Sequence, residues 1–342
     1  MLCIDADAVV NIAFSVITTE LRSFAPTFKD GWETTEKWSV GEGFVHLEHE
    51  GRIYIWGGHQ RQPVTKEWLT LPCDVIHIFD LKKDLWEKKR ASGNIPEHSI
   101  GAACVKINDM AYIFGGRRGS NLTTDIVSLS PTDCVFKSLP VSGDKPTPIY
   151  NHRGWAYKGK AFFFGGLSEC GLSEIRRENL LSCFNPDINE WSKLETKGQS
   201  PSPREEYGVA VLENRVFIHG GTKKKESDMH TLHMKSMIWT QVKSKCGPRQ
   251  LEYHSLSPIS SSQLLLVGGG GSRKVWTFNV NDSSWKEQDQ LSDDIVGADP
   301  NAGMVQHGAI HITTDEGLKV VCFGGRVGDN QHSRHLLILS IT

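Results

Sequence analysis

Basic side chains recur at one kind of place in this chain, directly after an apolar stretch that ends in two glycines. Arg117 and Arg118 follow Gly115 and Gly116. The equivalent places elsewhere hold Arg61, Lys223, Lys224, Lys225, Arg273, Lys274 and Arg326. Cations gathered around one opening would attract an acidic peptide or a C-terminal carboxylate and speed its arrival. The alternative is that these loops are polar only because they are solvated.

A second set of candidate binding residues lies in the segments that lead into the next repeat of this pattern. These segments carry tyrosine and arginine, residue types that anchor bound peptides. The candidates are Tyr150, Arg204 and Tyr253, with His152, Tyr207 and Arg249 beside them. We predict that both sets reach the same face of the molecule. The open alternative for the tyrosines is that they pack between structural units.

The glycine pairs indicate the architecture that must position these residues. Six pairs, each preceded by β-favouring residues, end at positions 58, 116, 166, 221, 269 and 325. A period near fifty residues with strands inside it is typical of a radial array of small sheets. Each period predicts four antiparallel strands, with the glycine pair after the second strand and an aromatic residue in the fourth. We therefore predict an all-β fold, a six-bladed β-propeller.

The last repeat has residues for three strands, so the ring needs a fourth strand from elsewhere. An unpaired sheet edge is unfavourable, and a strand from the N-terminal segment would cover it. We predict that residues 31–35 supply this strand, with Trp32 at the rim. The alternative is that Trp32 and Trp38 cap the first blade. Residues 1–30 are then a poorly ordered arm, and residues 31–342 form a single propeller.

Composition narrows the classes of protein that fit. The chain has 38 basic and 40 acidic residues, a net charge of −2, so no global field favours nucleic acid. Its eight cysteines form no C-x-x-C motif, which indicates free thiols in a reducing compartment. The longest apolar stretch, around residues 8–17, is too short to span a membrane and lacks a basic flank. We expect a cytoplasmic or nuclear protein.

Catalytic and metal-binding motifs are missing from the sequence. No Gly-x-Ser-x-Gly, P-loop or His-Glu-x-x-His pattern occurs. His230 and His233 are three residues apart, which places them on opposite faces of a strand rather than together on a metal. We therefore expect no catalytic residues, no metal and no cofactor, and a role in protein interaction rather than an enzyme.

The repeat resembles the kelch-repeat β-propellers. Glycine pairs after an apolar strand, an Asp-led third strand and a following tryptophan carry this resemblance across residues 41–342. A finer resemblance, in residues 253–259, residues 201–204 and the long loop ending at Pro72, is to kelch domain-containing substrate receptors of cullin-RING ubiquitin ligases. Members of that group read the C-terminal degrons of other proteins.

This resemblance implies a peptide-binding function and suggests where its chemistry differs. Tail-reading members carry two arginines after the fourth glycine pair, where this chain has Thr222 and Ser227. Glu252 and Tyr253 stand where those members carry serine and tryptophan. The resemblance implies a substrate receptor for an acidic or C-terminal peptide, with ligase subunits as further partners. The alternatives are a kelch scaffold or adaptor unrelated to ubiquitin and, less favoured, a kelch-class enzyme.

Overall fold

The computed structural model describes residues 17–23, 41–61, 65, 67–97, 99–170, 174–221, 228–244, 247–249, 251–270, 272, 274–288, 304–327, 331–332 and 335–341. These residues form strands, turns and loops. Within them, no helix is present that is long and apolar enough to cross a membrane. The predicted all-β class is confirmed.

The strands form a series of antiparallel sheets, which we number in chain order and describe from the inner strand outward. Sheet 1 contains Val45–His49, Arg52–Trp56, Val75–Asp80 and Leu85–Arg90. Sheet 2 contains Ala103–Ile107, Met110–Phe114, Ile126–Ser130 and Val135–Ser138. Sheet 3 contains Arg153–Tyr157, Lys160–Phe164, Leu181–Asn185 and Glu190–Leu194. In each sheet the glycine pair follows the second strand, as predicted.

The second half of the chain repeats this arrangement. Sheet 4 contains Gly208–Leu212, Arg215–His219, Met229–His233 and Ile238–Val242. Sheet 5 contains Ser255–Pro258, Gln263–Val267, Val275–Asn279 and Ser284–Glu287. Sheet 6 contains Gly308–Thr314, Gly317–Phe323, His335–Ile341 and Ile17–Ser23. The described part of the chain thus contains six sheets of four or five strands, while the count of six blades stays a prediction.

The outermost strand of sheet 6 comes from the N-terminal segment. Ile17–Ser23 pairs antiparallel with His335–Ile341 over seven residues, from Ile17 opposite Ile341 to Ser23 opposite His335. An N-terminal strand therefore completes the last sheet, as predicted, but it lies within the residues assigned to the arm. The predicted closing segment, residues 31–35, lies outside the described residues, as do Trp32 and Trp38. The domain boundary at residue 30 stays a prediction.

Backbone hydrogen bonds link each sheet to the next and close the ring. The amide of the second glycine in each pair donates to a carbonyl in the linker that leads into the next sheet. The pairs are Gly58 to Ser99, Gly116 to Ile149, Gly166 to Arg204, Gly221 to Leu251, Gly269 to Met304 and Gly325 to Gly41, at 2.7–3.2 Å. The last of these bonds joins sheet 6 to sheet 1, so the sheets form a closed β-propeller.

Apolar side chains fill the contacts between consecutive sheets. Six buried clusters each combine residues of two neighbouring sheets, and one of them joins Phe79 of sheet 1 to Phe323 and Ile338 of sheet 6. The predicted rim aromatics are buried in these clusters, namely Trp86, Phe136, Trp191, Trp239 and Trp285. Burying one such side chain contributes about 2–3 kcal/mol. The rim prediction is confirmed for these five sheets.

The linkers between sheets do more than turn the chain. Ser92–Gly93, Ser142–Gly143 and Lys197–Gly198 each form a short parallel strand on the outer edge of the next sheet. The added strands cover the outer edges of sheets 2, 3 and 4, which leaves fewer backbone groups open to other chains.

Successive connections alternate between two faces because the four strands of each sheet are antiparallel. The glycine-pair loops and the linkers share one face, which we call the loop face; the tight turns lie on the opposite, turn face. The loop face also carries short strands: His59–Arg61 with Trp68–Thr70, Arg117–Arg118 with Asn121–Leu122, Ile149–Tyr150 with Leu167–Cys170 and Glu174–Arg177, and Met304–Val305 with Arg326–Val327 and Gln331–His332. The described members of the two predicted sets therefore belong to the same face.

Candidate functional site at the channel mouth

A ring of residues in the left-handed backbone conformation surrounds the opening on the loop face. Each ring member lies two residues before the inner strand of its sheet. The members, which we call the mouth ring, are Gly43, Gly101, Asn151, Glu206, Tyr253 and Gln306, with φ between 56° and 69°. Backbone N–H groups connect successive members, Gly101 to Gly43, Asn151 to Gly101, Tyr253 to Glu206 and Gln306 to Tyr253, at 2.8–3.2 Å. The ring holds the starts of the inner strands together.

The residue after each ring member packs against a glycine pair and explains why glycine is needed there. The His152 ring lies over Gly115, where a Cβ would come within 2.9 Å of the imidazole and 2.6 Å of the Ile149 carbonyl. Tyr207 occupies the same place over Gly165, and its hydroxyl donates a 2.6 Å hydrogen bond to the Phe164 carbonyl. Glycine is needed because two sheets and a ring side chain meet there.

The inner strands of all six sheets enclose a cavity of about 170 Å³ on the axis. Its lining comes from residues 44–46, 102–104, 152–154, 207–209, 254–256, 307 and 309. Arg153 is the one arginine, lysine, aspartate or glutamate among these lining residues. The channel thus presents one fixed positive charge among apolar groups, small residues and imidazoles.

The histidines of the channel are held neutral. Burial, and then the nearby Arg153 guanidinium, lowers the pKa of His152 and of His307 to about 3 and that of His46 to about 4. Burial and the neighbouring His219 and His307 lower the pKa of His254 as well. Neutral imidazoles do not add to the positive charge of Arg153 near pH 7.

Arg153 lies across the start of sheet 4. Its Nε donates to the Tyr207 carbonyl at 3.3 Å, and its Nη2 lies 3.9 Å from Oε2 of Glu206. The second distance is too long for a hydrogen bond. The guanidinium is about one third exposed, so it remains accessible from the mouth.

Glutamates surround this arginine. Glu206 is 7% exposed, and burial raises its pKa to about 8. The Arg153 guanidinium opposes this rise, and the charges of Glu205, Glu252 and Glu42 add to it. Glu205 is held by two donors, Nη2 of Arg177 at 3.1 Å and Nδ2 of Asn151 at 3.3 Å. The charged residues that act on Glu206 are therefore mainly glutamates, with Arg153 as the cation.

The predicted residues of the second sheet lie at the edge of the mouth. Arg117 is exposed, and its Nε donates to the Gly119 carbonyl at 3.0 Å. Arg118 is paired with Asp125 at 2.8 Å. Tyr150 is half-buried, and burial followed by the charge of Glu205 raises its pKa, while Arg117 lowers it. The charges of Glu205 and Arg117 therefore act on Tyr150 in opposite directions.

Arg204 is a correction to the predicted site. The side chain is fully buried, and it donates to both carboxylate oxygens of Asp228 at 2.9 and 3.0 Å and to the Gly220 carbonyl at 3.0 Å. His230 bonds the same carboxylate at 2.7 Å. Although burial opposes it, these bonds lower the pKa of Asp228. Arg204 therefore fixes the loop after the fourth glycine pair to its linker and does not face a ligand.

Tyr253 is a member of the mouth ring, and the remaining predicted residues are not described in full. Lys223, Lys224 and Arg273 lie outside the described residues. For Arg61 and Arg326 the structure describes the backbone alone, in short strands that pair with Trp68 and with Met304–Val305. Their part in binding stays a prediction. Among the described residues, no three histidine, cysteine, aspartate or glutamate side chains form a group that could hold a metal ion.

Sequence reasoning missed Arg153, Glu205 and Glu206. It weighed the charges that follow the glycine pairs and did not count the acids in the linkers. The signal was present, because two adjacent glutamates precede the inner strand of sheet 4 and a basic residue begins that of sheet 3. Their convergence depends on the closed ring, which places residues about fifty positions apart side by side.

Exposed apolar side chains also stand on the loop face. Trp68 and Leu69 lie on the short strand after the first glycine pair, and Ile175 lies on the one after the third. Ile175 is 63% exposed. Large apolar groups that project from the loops around a cavity are a common feature of protein-binding surfaces.

Comparison with known proteins adds family information to this geometry. The KLHDC2/KLHL20/DRC7 Kelch-repeats domain matches residues 43–270. Kelch domain-containing protein 2 of Bos taurus is 24% identical over 351 residues, covering 91% of this chain and 84% of that protein. Kelch domain-containing protein 1 of Homo sapiens is 27% identical over 271 residues, 70% and 66% of the two chains. The Rab9 effector protein with kelch motifs of Mus musculus is 26% identical over 172 residues, 50% and 43%.

Proposed function

The chain belongs to the KLHDC2/KLHL20/DRC7 kelch-repeat family, and from that premise we propose that its loop face binds a segment of a partner protein. Membership of this family supports a protein-interaction module in general. The observation that carries the proposal is the channel mouth, where Arg153 and Glu206 lie beside a cavity that all six inner strands enclose. A cavity of about 170 Å³ accommodates one or two side chains rather than a large cofactor.

The apolar groups on the loop face support a protein as the ligand. Trp68, Leu69 and Ile175 are exposed on loops around the mouth, and exposed apolar side chains are typical contact points for a partner. A segment that inserts one side chain into the mouth would lie against these loops. Apolar contacts would then contribute affinity, and the charged mouth would contribute specificity.

The role we propose is that of a substrate receptor in a cullin-RING ubiquitin ligase, in the cytoplasm or nucleus. The support is the resemblance of the linker and loop segments to members of that group. In this role the propeller itself performs no catalysis and selects the protein that the ligase modifies. If the experiment below recovers no ligase subunits, the chain is instead an adaptor or scaffold without a link to ubiquitin.

The predicted ligand, an acidic or C-terminal peptide, stays a prediction. It depends on Arg61, Lys223, Lys224, Arg273 and Arg326, whose side chains lie outside the described residues. Arg117 and Arg153 would support it. Glu205 and Glu252 oppose it, because their negative charges would repel a carboxylate ligand at the mouth.

Affinity purification of the tagged chain tests this proposal with a matched pair of variants. Ile175→Glu places a charge on the loop face, and Ile188→Glu places one on the turn face at a site of similar exposure, 63% against 60%. We expect Ile175→Glu to lower capture of the partner about tenfold and Ile188→Glu to leave it unchanged. We also expect cullin and adaptor subunits to co-purify with both variants.

Two outcomes would contradict parts of the proposal. Equal capture by both variants would show that the loop face is not the binding surface. Retention of the partner without any ligase subunit would reject the ubiquitin role and leave an adaptor. Partner lifetime after depletion of the chain provides the second readout, because loss of a substrate receptor lengthens it.

A further inference from the structure

We propose that the channel mouth receives a positively charged side chain of the partner, a lysine or an arginine, with Glu206 as the carboxylate that binds it. This inference rests on the proposed function, because it names the chemistry of the ligand for the same site. It differs from the ligand predicted by the sequence, which was acidic or ended in a free carboxylate.

The first observation is the distribution of glutamates around the opening. Glu205 and Glu206 come from the linker before sheet 4, Glu252 from the linker before sheet 5, and Glu42 from the segment before sheet 1. The charges of Glu42, Glu252 and Arg153 all act on Glu206. These residues come from three other sheets, and Arg153, which lines the cavity, lies 3.9 Å from the Glu206 carboxyl group.

The second observation is the state of Glu206 itself. The residue is buried, with 7% of its surface exposed, and among the described residues no hydrogen bond reaches its carboxyl group. Its nearest cation, Nη2 of Arg153, is 3.9 Å away. A buried carboxyl group without a hydrogen-bond donor is unfavourable. An incoming ammonium or guanidinium group would supply the missing donors.

Neighbouring groups are arranged to leave Glu206 available. Both carboxylate oxygens of Glu205 already accept hydrogen bonds, from Arg177 and Asn151. Arg153 uses its Nε on the Tyr207 carbonyl. Of these two adjacent glutamates, Glu206 is thus the one whose carboxyl group a ligand can pair with, and the charges of Glu252 and Glu42 strengthen its attraction for a cation.

Binding of a cation should be coupled to proton release. Burial, with the charges of Glu205, Glu252 and Glu42, raises the pKa of Glu206 to about 8, although Arg153 opposes this. The carboxyl group is therefore largely protonated at pH 7 without a ligand. A lysine ammonium that pairs with it favours the ionised form, so the proton of Glu206 passes to the solvent.

Selection from a random peptide display library tests the inference with the full chain as bait. Selected peptides are then measured by fluorescence anisotropy, each beside copies in which lysine is acetylated or arginine is replaced by citrulline. We expect the library to enrich peptides with one lysine or arginine, and neutralising that residue to weaken binding about tenfold. Glu206→Gln should weaken binding of the charged peptide to a similar extent.

The matched control is Glu213→Gln, an exposed glutamate in the same sheet on the turn face, also in the left-handed conformation. It should leave affinity unchanged. Calorimetry in two buffers of different ionisation enthalpy should detect release of about one proton per complex at pH 7 with the native chain and none with Glu206→Gln. If Glu206→Gln lowers the melting temperature below the assay range, Glu252→Gln replaces it, with a smaller loss of affinity expected.

The outcomes separate this inference from the proposed function. Enrichment of acidic peptides, or of peptides that need a free terminal carboxylate, would overturn the inference and leave the loop face as a peptide-binding surface. If no enriched peptide loses its binding in the Ile175→Glu variant, both the proposed function and the inference are rejected. Equal binding of the lysine and acetyl-lysine peptides would overturn the inference alone.

Discussion

The two parts of the mouth ring carry different residues on the same backbone conformation. The positions in sheets 1 and 2 hold Gly43 and Gly101, and those in sheets 3 to 6 hold Asn151, Glu206, Tyr253 and Gln306. A left-handed conformation costs a non-glycine residue roughly 1–2 kcal/mol. The glycine part shows that the ring forms without side chains. The side chains of the other part, which we call the functional part, are therefore free to serve binding, and one of them, Glu206, lies 3.9 Å from Arg153.

The residue that follows each ring member differs between the two parts in the same way. Sheets 1 and 2 have Phe44 and Ala102 at this position, whereas sheets 3, 5 and 6 have His152, His254 and His307. Phe44 shows that an aromatic hydrocarbon can fill the place. At this position of the channel, the histidines therefore belong to sheets 3, 5 and 6.

Lowering the pH should produce the largest loss of stability, and the buried histidines of the channel should cause it. The folded chain holds His152 and His307 neutral down to a pKa of about 3, whereas an unfolded histidine titrates near 6.5. Their contribution to stability is present above pH 6.5 and is lost as pH falls. Each histidine should cost about 1.4 kcal/mol per pH unit. Urea denaturation between pH 7.5 and 4.5 measures this loss.

Replacing one channel histidine by phenylalanine, the residue type that sheet 1 has at this position, tests whether the histidines cause the loss of stability in acid. His152→Phe should reduce the slope of unfolding free energy against pH by the contribution of about one histidine, since it places in sheet 3 the residue type that sheet 1 already has. His233→Phe, at an exposed histidine, is the control. If the slope is the same in both variants, the pH response does not come from the channel.

Adding a Cβ atom to a glycine of the mouth ring should cause the next largest loss of stability. A Cβ on Gly101 would lie 2.3 Å from Oδ1 and 3.1 Å from the amide nitrogen of Asn151, at a φ of 69°. We expect Gly101→Ala to lower the free energy of unfolding by about 3 kcal/mol. Gly51→Ala, with a φ of 73° and no atom within 4 Å, should lower it by about 1 kcal/mol. Similar losses for the two variants would show that the ring does not constrain Gly101.

Replacing Glu206 by glutamine should change how the stability of the chain depends on pH between pH 5 and pH 8. The pKa of Glu206 is raised from 4.5 to about 8, so its favourable protonated form is fully present below pH 4.5 and is lost as pH rises through 8. We expect Glu206→Gln to gain about 2–3 kcal/mol of stability relative to the native chain between pH 5 and pH 8. Glu213→Gln should show no such gain, and thermal melting across this range measures both. A constant difference would mean that Glu206 is ionised throughout.

The repeated features were the ones that the sequence predicted. Strands, glycine pairs and rim aromatics recur because each sheet makes the same contacts, as Trp191 and Trp239 show. The strand Ile17–Ser23 was missed because backbone pairing, and not a glycine pair or a tryptophan, places it.

The site was harder to predict because the residues that form it are not repeated. Every ring position from sheet 3 onward holds a different residue, so no pattern marks Glu206. Arg204 was assigned to the surface because its partner, Asp228, lies 24 residues away and meets it only in the folded chain. Repeats report contacts that every sheet needs, whereas a binding site depends on the differences between sheets.

The smallest effect we expect concerns the contact between the two parts of the ring. Asn151→Gly removes the atom that a Cβ on Gly101 would meet first, and it also removes the hydrogen bond from Nδ2 to Glu205 at 3.3 Å. Relief of the left-handed strain and loss of this bond should nearly cancel, leaving the stability of the single variant within about 1 kcal/mol of the native chain.

Combining this change with Gly101→Ala sharpens the comparison. In the double variant the alanine methyl group no longer meets Oδ1, so part of the lost stability should return, with a coupling free energy of about 1 kcal/mol in a double-mutant cycle by urea denaturation. The strain at φ 69° and the contact with the backbone nitrogen of residue 151 remain, so recovery should be incomplete. If Asn151→Gly alone removed several kcal/mol, the side chains of the functional part would be needed to build the ring. Their presence would then say nothing about binding.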